Sequence, residues 1–478
     1  MSSAREIANL RSIPTNGNIL LDFTAGDALE SGGTCNIAAG LNALGAATTG
    51  DDNIALGRLA LGAGTLTGGV NIAIGATAGD AITSGACNIA IGLNALTAAT
   101  DNCDNIAIGQ SALAASVNDG DNNIAIGKTA MGGADVAGAD NIAIGTTSMD
   151  ALTSGACNIA LGLNALGAAT DNCDNIAIGK AALAASVNDA DNNIAIGTTA
   201  LGGADVSGAN NIALGTTSMD ALTSGACNIA IGINALGAAT DNCDNIAIGQ
   251  SALAASVNDG DQNVAIGKTA MSAGDVSGFT NVAIGTDALK GITTGSRNVA
   301  IGDCAMGGAT VAGCHNVTLG TYAADALTSG LNNVAIGQNA LGAATTGCDN
   351  IAIGQSALAA SVDDGDNNVA IGKTAMGGAD VSGVSNIAIG ETSADALTTG
   401  YRNIAIGCNS FGAATTGCWN LAIGGNAMGE GVTTGNDNIA VGRNSADALT
   451  SGACNIAMGL NALGAATDNC DNVAIGQS

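Results

Sequence analysis

The stretch Cys157-Asn-Ile-Ala-Leu-Gly-Leu-Asn-Ala-Leu-Gly-Ala-Ala-Thr170 decides the reading of the chain, because it is one copy of a unit that recurs almost from end to end. Its signature is the pentad Asn-(Ile/Val/Leu)-Ala-(Ile/Leu/Val/Met)-Gly. The pentad begins at Asn53, Asn71, Asn88, Asn105, Asn123, Asn141, Asn158 and Asn175 and continues to Asn472, with one internal departure at Asn316-Val-Thr-Leu-Gly320. A degenerate copy opens at Asn36, and Asn18-Ile-Leu-Leu is a weaker one. From Asn53 to Asn472 there are 24 steps of 17 or 18 residues, a mean of 419/24 ≈ 17.5. A longer period sits above this one. Asn88, Asn158, Asn228 and Asn298 are each 70 apart, as are Asn123, Asn193 and Asn263. Four units of distinct type therefore make one superrepeat, which makes length a tunable property of the molecule.

The pentad alternates with period two, the pattern of a short half-buried strand. A second apolar residue follows eight positions after the Asn, at Leu96, Leu113, Met131, Met149 and Leu166, and a third at Val117, Val136 and Leu152. Between them lie Gly, Asn, Asp, Ser and Thr, the residues of tight turns. Helix competes, since Ala and Leu are good helix formers. No 3.6-residue stripe survives beyond two turns, however, and each interior Gly would cost about 1 kcal/mol. Units of 17–18 residues are too short for helical-hairpin repeats and suit one coil of a β-solenoid. In such a coil each strand pairs with its counterparts above and below, about 4.8 Å away, so identical residues stack in columns. The expectation is that the two β-branched pentad positions form aliphatic columns inside while Ala faces a second close-packed surface. The Asn column forms an amide ladder, and Gly closes the strand. Roughly 25 coils at that spacing make a rod on the order of 120 Å long.

Composition supports this. The chain of 478 residues holds 73 Gly, one Pro (Pro14) and six aromatics, Phe23, Phe279, Phe411, Trp419, Tyr322 and Tyr401, too few for conventional cores. A net charge of −29 excludes a protein that neutralises nucleic-acid phosphates or an anionic membrane. Collagen lacks its Gly-X-Y period here, and evenly spread apolar residues argue against disorder. The first residues, to Pro14, hold no unbroken apolar run of signal-peptide type, and no stretch approaches the roughly 18 apolar residues of a spanning helix. A single histidine, His315, removes most general-base and metal-centre chemistry.

The run Asn-Ile-Ala-Ile-Gly resembles the head repeats of YadA-like trimeric autotransporter adhesins. The fuller unit, Asn333-Val-Ala-Ile-Gly-Gln-Asn-Ala-Leu-Gly-Ala-Ala-Thr-Thr-Gly347, is similar to repeats of phage and other viral tail-fibre proteins. The resemblance covers about residues 36–478. It implies a left-handed parallel β-roll assembled as a homotrimer. It departs from the adhesins in its longer units and in having neither coiled-coil heptads nor an anchor barrel. Viral fibres of this style often end in a tip or chaperone domain, whereas this sequence stops at Asn472-Val-Ala-Ile-Gly-Gln-Ser478, part-way through a coil. That ending is expected of a chain whose downstream domain has been removed or whose end another subunit covers.

Fourteen cysteines remain to be placed. Cys87/Cys103, Cys157/Cys173, Cys227/Cys243 and Cys454/Cys470 are 16 apart, Cys304/Cys314 and Cys408/Cys418 are 10 apart, and Cys35 and Cys348 have no obvious partner. Three readings stand: disulfides between coils or subunits in an oxidising exterior, with the 16-spaced pairs nearly superposed; free thiols packed as small hydrophobes; and a metal site, which lacks Cys-x₂-Cys spacing and supporting His. The Asp-rich turns Asp101-Asn-Cys-Asp104, Asp119-Gly-Asp121 and Asp363-Asp-Gly-Asp366 invite calcium, against the simpler reading that Asp caps turns and keeps the surface soluble. Lys128, Lys180, Lys268 and Lys373 share the position five after the Asn with Gln110, Gln250 and Gln355, which marks an outward site. Asn316-Val-Thr318 is a formal glycosylation sequon inside the expected ladder. Trp419, Tyr401 and Phe411 cluster within two coils, as binding residues or as irregular packing. Asp and Ser recur with the period, as turn residues do, so no catalytic, cofactor-binding or metal residue is singled out.

The sequence reading is thus an all-β chain. Residues 1–35 form a cap or attachment segment, and 36–478 form a β-solenoid shaft, with no enzymatic activity and no cofactor unless calcium. The expected function is a trimeric tail or capsid fibre on the surface of a virion, associating with other virion or filament subunits and contacting a host receptor or glycan. A bacterial surface adhesin or a self-assembling extracellular filament is the alternative.

Overall fold

The computed structural model describes residues 16–22, 24–29, 32–117, 120–187, 190–257, 260–362 and 365–477. Phe23, Asp119, Asp363, Asp364, Pro14 and the rest of the first fifteen residues lie outside the described residues. The chain divides into two compact units, Met1–Asp241 and Asn242–Ser478. Both are parallel β-solenoids, and the described residues contain strands and turns but no helix. The first unit carries thirteen described strands, from Ile19–Leu20 to Ile229–Ile231, and the second fourteen, from Ile246–Ile248 to Val473–Ile475.

Each described coil has one short strand, three residues long except for Ile19–Leu20, because only the pentad supplies an uninterrupted extended run. Pairing keeps like above like: Ile176, Ala177 and Ile178 face Ile194, Ala195 and Ile196 in the first unit, and Val264, Ala265 and Ile266 face Val282, Ala283 and Ile284 in the second. The weak copy at Asn18 is already a coil. Ile19–Leu20 pairs with the strand at Ile37–Ala39, and Asn18 Oδ1 accepts the Asn36 N–H at 2.7 Å.

The inside of the coil corrects the sequence reading. The pentad Ala is the buried residue, at 0% exposure for Ala55, Ala177 and Ala265, while the flanking β-branched residues point outward. The reason is width. A coil of this length encloses space for one strand residue opposite the Leu or Met eight positions after the Asn and a third core residue beyond it. Around Gly79, for example, a Cβ would meet Leu61 Cδ2 and Ile82 Cδ1 at 3.0 Å and Ala73 Cβ at 3.8 Å. An Ile in place of Ala73 has no volume to occupy.

The turns use the Asn that the sequence marked together with a Cys and a Leu that it did not. In the coil of Asn158, Cys157, Asn164 and Leu166 all have positive φ, at 59°, 56° and 49°. A left-handed leucine costs roughly 1–2 kcal/mol. Burying Leu166 returns about 1.5–3 kcal/mol, and its N–H donates to the Ala182 carbonyl at 2.9 Å. Burial wins. Gly162, at φ 146°, closes the strand where a Cβ would be driven into the carbonyl of Gly179.

The Asn column does form a ladder. Asn193 N–H donates to Asn175 Oδ1 at 2.9 Å, Asn193 Oδ1 accepts from Asn211 N–H at 2.8 Å, and Asn193 Nδ2 donates to the Gly208 carbonyl at 3.0 Å. The same pattern runs through the second unit, as at Asn368, whose N–H reaches Asn350 Oδ1 and whose Nδ2 reaches the Gly383 carbonyl, both at 2.9 Å. The acceptor serves the next backbone N–H more than the next amide, so the ladder fixes main chain as well as side chain.

Candidate interaction surface

Turning the pentad Ala inward forces the residues on either side of it outward. Each unit therefore carries two parallel columns of Ile, Val and Leu on the outer face of its sheet, half-buried by their neighbours above and below. Some stand further out, such as Ile159 at 38% and Leu161 at 43%. At about 25 cal/mol per Å² a whole Ile side chain represents roughly 100 Å². A third of that, from two residues in each of thirteen or fourteen coils, leaves on the order of 1,000 Å² of contiguous aliphatic surface per unit. That exceeds the roughly 300–600 Å² of the largest apolar patch on an ordinary monomer.

A mixed column rims this face. Lys128, Lys180, Lys268 and Lys373 are exposed at the fifth position, where Leu41, Leu93, Leu163 and Ile233 stand in one coil type. Lys373 Nζ lies 3.6 Å from Glu391 Oε1, its successor in the column. The position is outward, as the interchange of Lys and Gln implied.

The cysteines are free thiols, all fourteen of them. The spacing of 16 misleads because the columns are offset by one. Cys103 stacks on Ala86 rather than on Cys87, and Asp104 occupies the place above Cys87. The backbone shows this: Asp104 N–H donates to the Ala86 carbonyl at 3.0 Å, while Ala86 N–H points at Cys103 Sγ, 3.4 Å away. Asp does the same work in other coils. Asp121 Oδ1 accepts from Cys103 N–H at 2.6 Å, and Asp366 Oδ1 from Cys348 N–H at 2.7 Å. Cys173, Cys314 and Cys470 take backbone N–H groups as Cys103 does. This column, two before the Asn, thus needs a side-chain acceptor, and the thiol is one version of it. Desolvation pushes the Cys157 thiol above its ordinary value, and the carboxylates of Asp174 and Asp140 and the Cys173 thiol push it further. It remains a protonated thiol at neutral pH, a poor nucleophile.

Of the Asp-rich turns, Asp121 and Asp366 each place one carboxylate oxygen on a backbone N–H group of a neighbouring coil. Among the described residues no three His, Cys, Asp or Glu side chains are placed to hold a metal ion. A separate group of carboxylates escaped the sequence reading. Asp80, Asp150, Asp220, Asp325, Asp395 and Asp447 lie nine after their Asn, each with a buried Oδ1 that has no hydrogen-bond partner. Burial raises Asp150 above the usual carboxylate range, and backbone N–H groups of Gly132 and Gly133 in the coil below oppose this.

The sequon is structural. Asn316 and Thr318 are fully buried, and Asn316 Nδ2 donates to the Gly330 carbonyl at 2.8 Å. The aromatic cluster divides. Phe411 fills a core position usually held by Leu, whereas Tyr401 and Trp419 are exposed and in edge-to-face contact, ring centroids 6.3 Å apart. The Arg402 guanidinium lies 4.5 Å from the Trp419 ring centre and 6.0 Å from that of Tyr401. Phe279 is likewise covered by Arg297 at 5.0 Å, and His315 stands exposed in the column of Arg297. No family model matches the chain, and no curated protein is similar to it in sequence.

Proposed function

We propose that this chain is a structural fibre subunit that associates with copies of itself through the outward aliphatic columns. The observation that carries the reading is the continuous Ile/Val/Leu face. About 1,000 Å² per unit exceeds the roughly 800 Å² each partner contributes to a standard stable interface, and an aliphatic face so regular is matched best by another of the same repeat. The mixed charges of the fifth-position column would then lie at the margin of the contact, where they set orientation more than affinity.

The pentad's similarity to viral tail-fibre repeats supports a homotrimer projecting from a virion and touching a host surface. A fibre also gives a reason for the 70-residue duplications, since each added block extends reach without a new fold. The working surface is then recognition and support, not catalysis.

Sedimentation equilibrium and small-angle scattering test the proposal. The expected result is an elongated trimer, which Ile→Lys substitutions at Ile142, Ile176 and Ile194 together convert to a folded monomer. A wild-type monomer at micromolar concentration would overturn it. Release of cleavage products from candidate host glycans would overturn the non-catalytic reading.

A further inference from the structure

The repeat itself separates support from recognition, because whatever recurs in every block serves the coil. The side chains to examine are those that break the pattern. Seventy residues before Tyr401, Arg402 and Trp419, the same columns hold Leu331, Asn332 and Asp349. The second unit thus replaces three neighbouring positions together with Tyr, Arg and Trp. They meet because the coil brings them together: Trp419 N–H donates to the Tyr401 carbonyl at 3.2 Å, which sets the two residues on successive coils against each other. Tyr401 is 40% and Trp419 50% exposed. The Arg402 guanidinium lies over the Trp419 ring and within 6.0 Å of the Tyr401 ring centre, and Arg402 is exposed. Nothing in the core needs this group.

We infer that Tyr401, Arg402 and Trp419 form a binding site for a neutral carbohydrate chain. The Tyr401 and Trp419 rings, 73° apart, line an apolar corner against which the C–H face of a pyranose can stack on one ring and abut the other, and the guanidinium fork can donate to adjacent hydroxyls. Size selects this occupant. Two half-exposed rings amount to roughly 200 Å², about the footprint of one or two sugar rings and well below the roughly 800 Å² per partner of a standard protein interface. Charge selects the neutral class. The chain carries −29, and Asp437 follows Trp419 in the same column, so an anionic glycan is repelled by the net charge and by that neighbouring carboxylate. A polymer would also find a second foothold. Phe279 and Arg297 repeat the aromatic–cation pair in the same two columns, seven coils earlier and roughly 34 Å away at the strand spacing.

This inference rests on the fibre reading for its biological sense and names the ligand class that reading left open. Trp419 is the chain's single tryptophan, so its emission reports this site alone. The assay titrates the full chain with neutral hexa-oligosaccharides of glucose, galactose, mannose and N-acetylglucosamine, and with a sialylated and a sulfated oligosaccharide. The expected result is a saturable change in Trp419 emission with at least one neutral probe. Tyr401→Ala and Arg402→Ala should each weaken its apparent Kd at least tenfold while the thermal melt stays unchanged. Phe279→Ala should leave the hexamer affinity unchanged and weaken only binding of the polysaccharide built from the same sugar as the responding hexamer, titrated in parallel. No response to any neutral probe at about 10 mM, the weak end of specific binding, a response to the anionic probes alone, or full affinity in Arg402→Ala would each overturn the inference. Sedimentation on the same samples keeps the two proposals apart, because an elongated trimer that ignores sugars sinks this one and leaves the fibre standing.

Discussion

Replacing Asn193 with Leu removes one rung of the ladder with little change in volume. The wild-type amide is fully buried. Its Oδ1 is the partner of Asn211 N–H at 2.8 Å and its Nδ2 the partner of the Gly208 carbonyl at 3.0 Å. Leucine serves neither, so one backbone donor and one backbone acceptor are left in a dry interior. Each orphaned group costs about 1–3 kcal/mol. Allowing for some relaxation, the local loss is about 2–5 kcal/mol, or roughly 30-fold to several thousand-fold in the opening equilibrium. A global melt is the wrong assay, because nearest-neighbour coupling in a solenoid lets one coil loosen while distant ones hold. Hydrogen exchange read on peptides spanning 205–215 and 282–301 is the right one. Protection should fall by that factor in the first peptide and stay unchanged in the second. Asn192→Ser, at the exposed neighbour, should change neither. Equal exchange of the 205–215 peptide in Asn193→Leu and wild type would refute the ladder as a support of the main chain.

Three other outcomes follow from the same geometry. Ala195→Leu should destabilise its coil by about 1–3 kcal/mol or more through overpacking, whereas Ile196→Ser should leave the thermal melt nearly unchanged and weaken self-association; the reverse pattern would return the β-branched residues to the interior. Asp150→Asn should change the pH profile. Because burial raises the folded-state pKa of Asp150, its contribution is full below the unfolded value and is lost as pH rises through the raised one, so the melting temperature of the variant relative to wild type should climb between pH 3 and pH 7, and a flat difference would contradict the burial. Cys103→Ser should melt within about 0.5 kcal/mol of wild type and Cys103→Ala about 1 kcal/mol lower, since only Ala leaves Ala86 N–H without its acceptor; equal melts would remove the capping role.

Much of this fold is legible because identity and stacking are the same thing in a solenoid. The pentad fixes strand, spacing and register, and Asn at every step announces a ladder. What period two cannot say is which of its two faces is inside. Bulk hydrophobicity favours Ile, but enclosed volume favours Ala, and volume decides. The signal was present in the columns. From Asn36 to Asn472 the central pentad residue is Ala everywhere except Thr318, while its neighbours vary among Ile, Val, Leu, Met and, once, Ala. A position that tolerates only small side chains is a tight one. The left-handed turns left no such trace: the position of Leu166 holds Leu, Met, Phe, Ala or Gly in the coils, but the equally left-handed position of Asn164 holds Thr in many coils, as at Thr129 and Thr199, so residue type does not mark the positive φ. Val117, the third recurring apolar residue of its coil, is only half-buried, and the core position beside it falls to Ser116, whose Oγ accepts from Asn102 Nδ2 at 2.9 Å and donates to the Val136 carbonyl at 3.0 Å. No hydrophobic pattern marks a serine as core.

The 70-residue period then has a physical cause, which a deletion can test. Each coil dictates part of the next. Where a coil carries the buried Asp, the coil below supplies Gly at one or both facing positions: Gly132-Gly133 beneath Asp150, Gly202-Gly203 beneath Asp220, Gly307-Gly308 beneath Asp325. Where Lys290 takes the place of the Asp, the facing pair is Ser272-Ala273. The third core column runs Ser116, Val136, Leu152, Ala169 and then Ser186, Val206, Leu222, Ala239, large beside small. Removing residues 158–227 joins Cys157 to Asn228 and recreates a junction the chain already uses. Removing 141–157 instead sets the coil of Val136 against that of Ala169, opens a Leu-sized void worth about 2–5 kcal/mol, and leaves Gly132-Gly133 without the Asp150 carboxylate. The 70-residue deletion should therefore retain wild-type protection on both sides of its junction, while the 17-residue deletion loosens the coils on either side. Equal protection in the two shortened chains would mean that the coil, not the block of four, is the unit the sequence obeys.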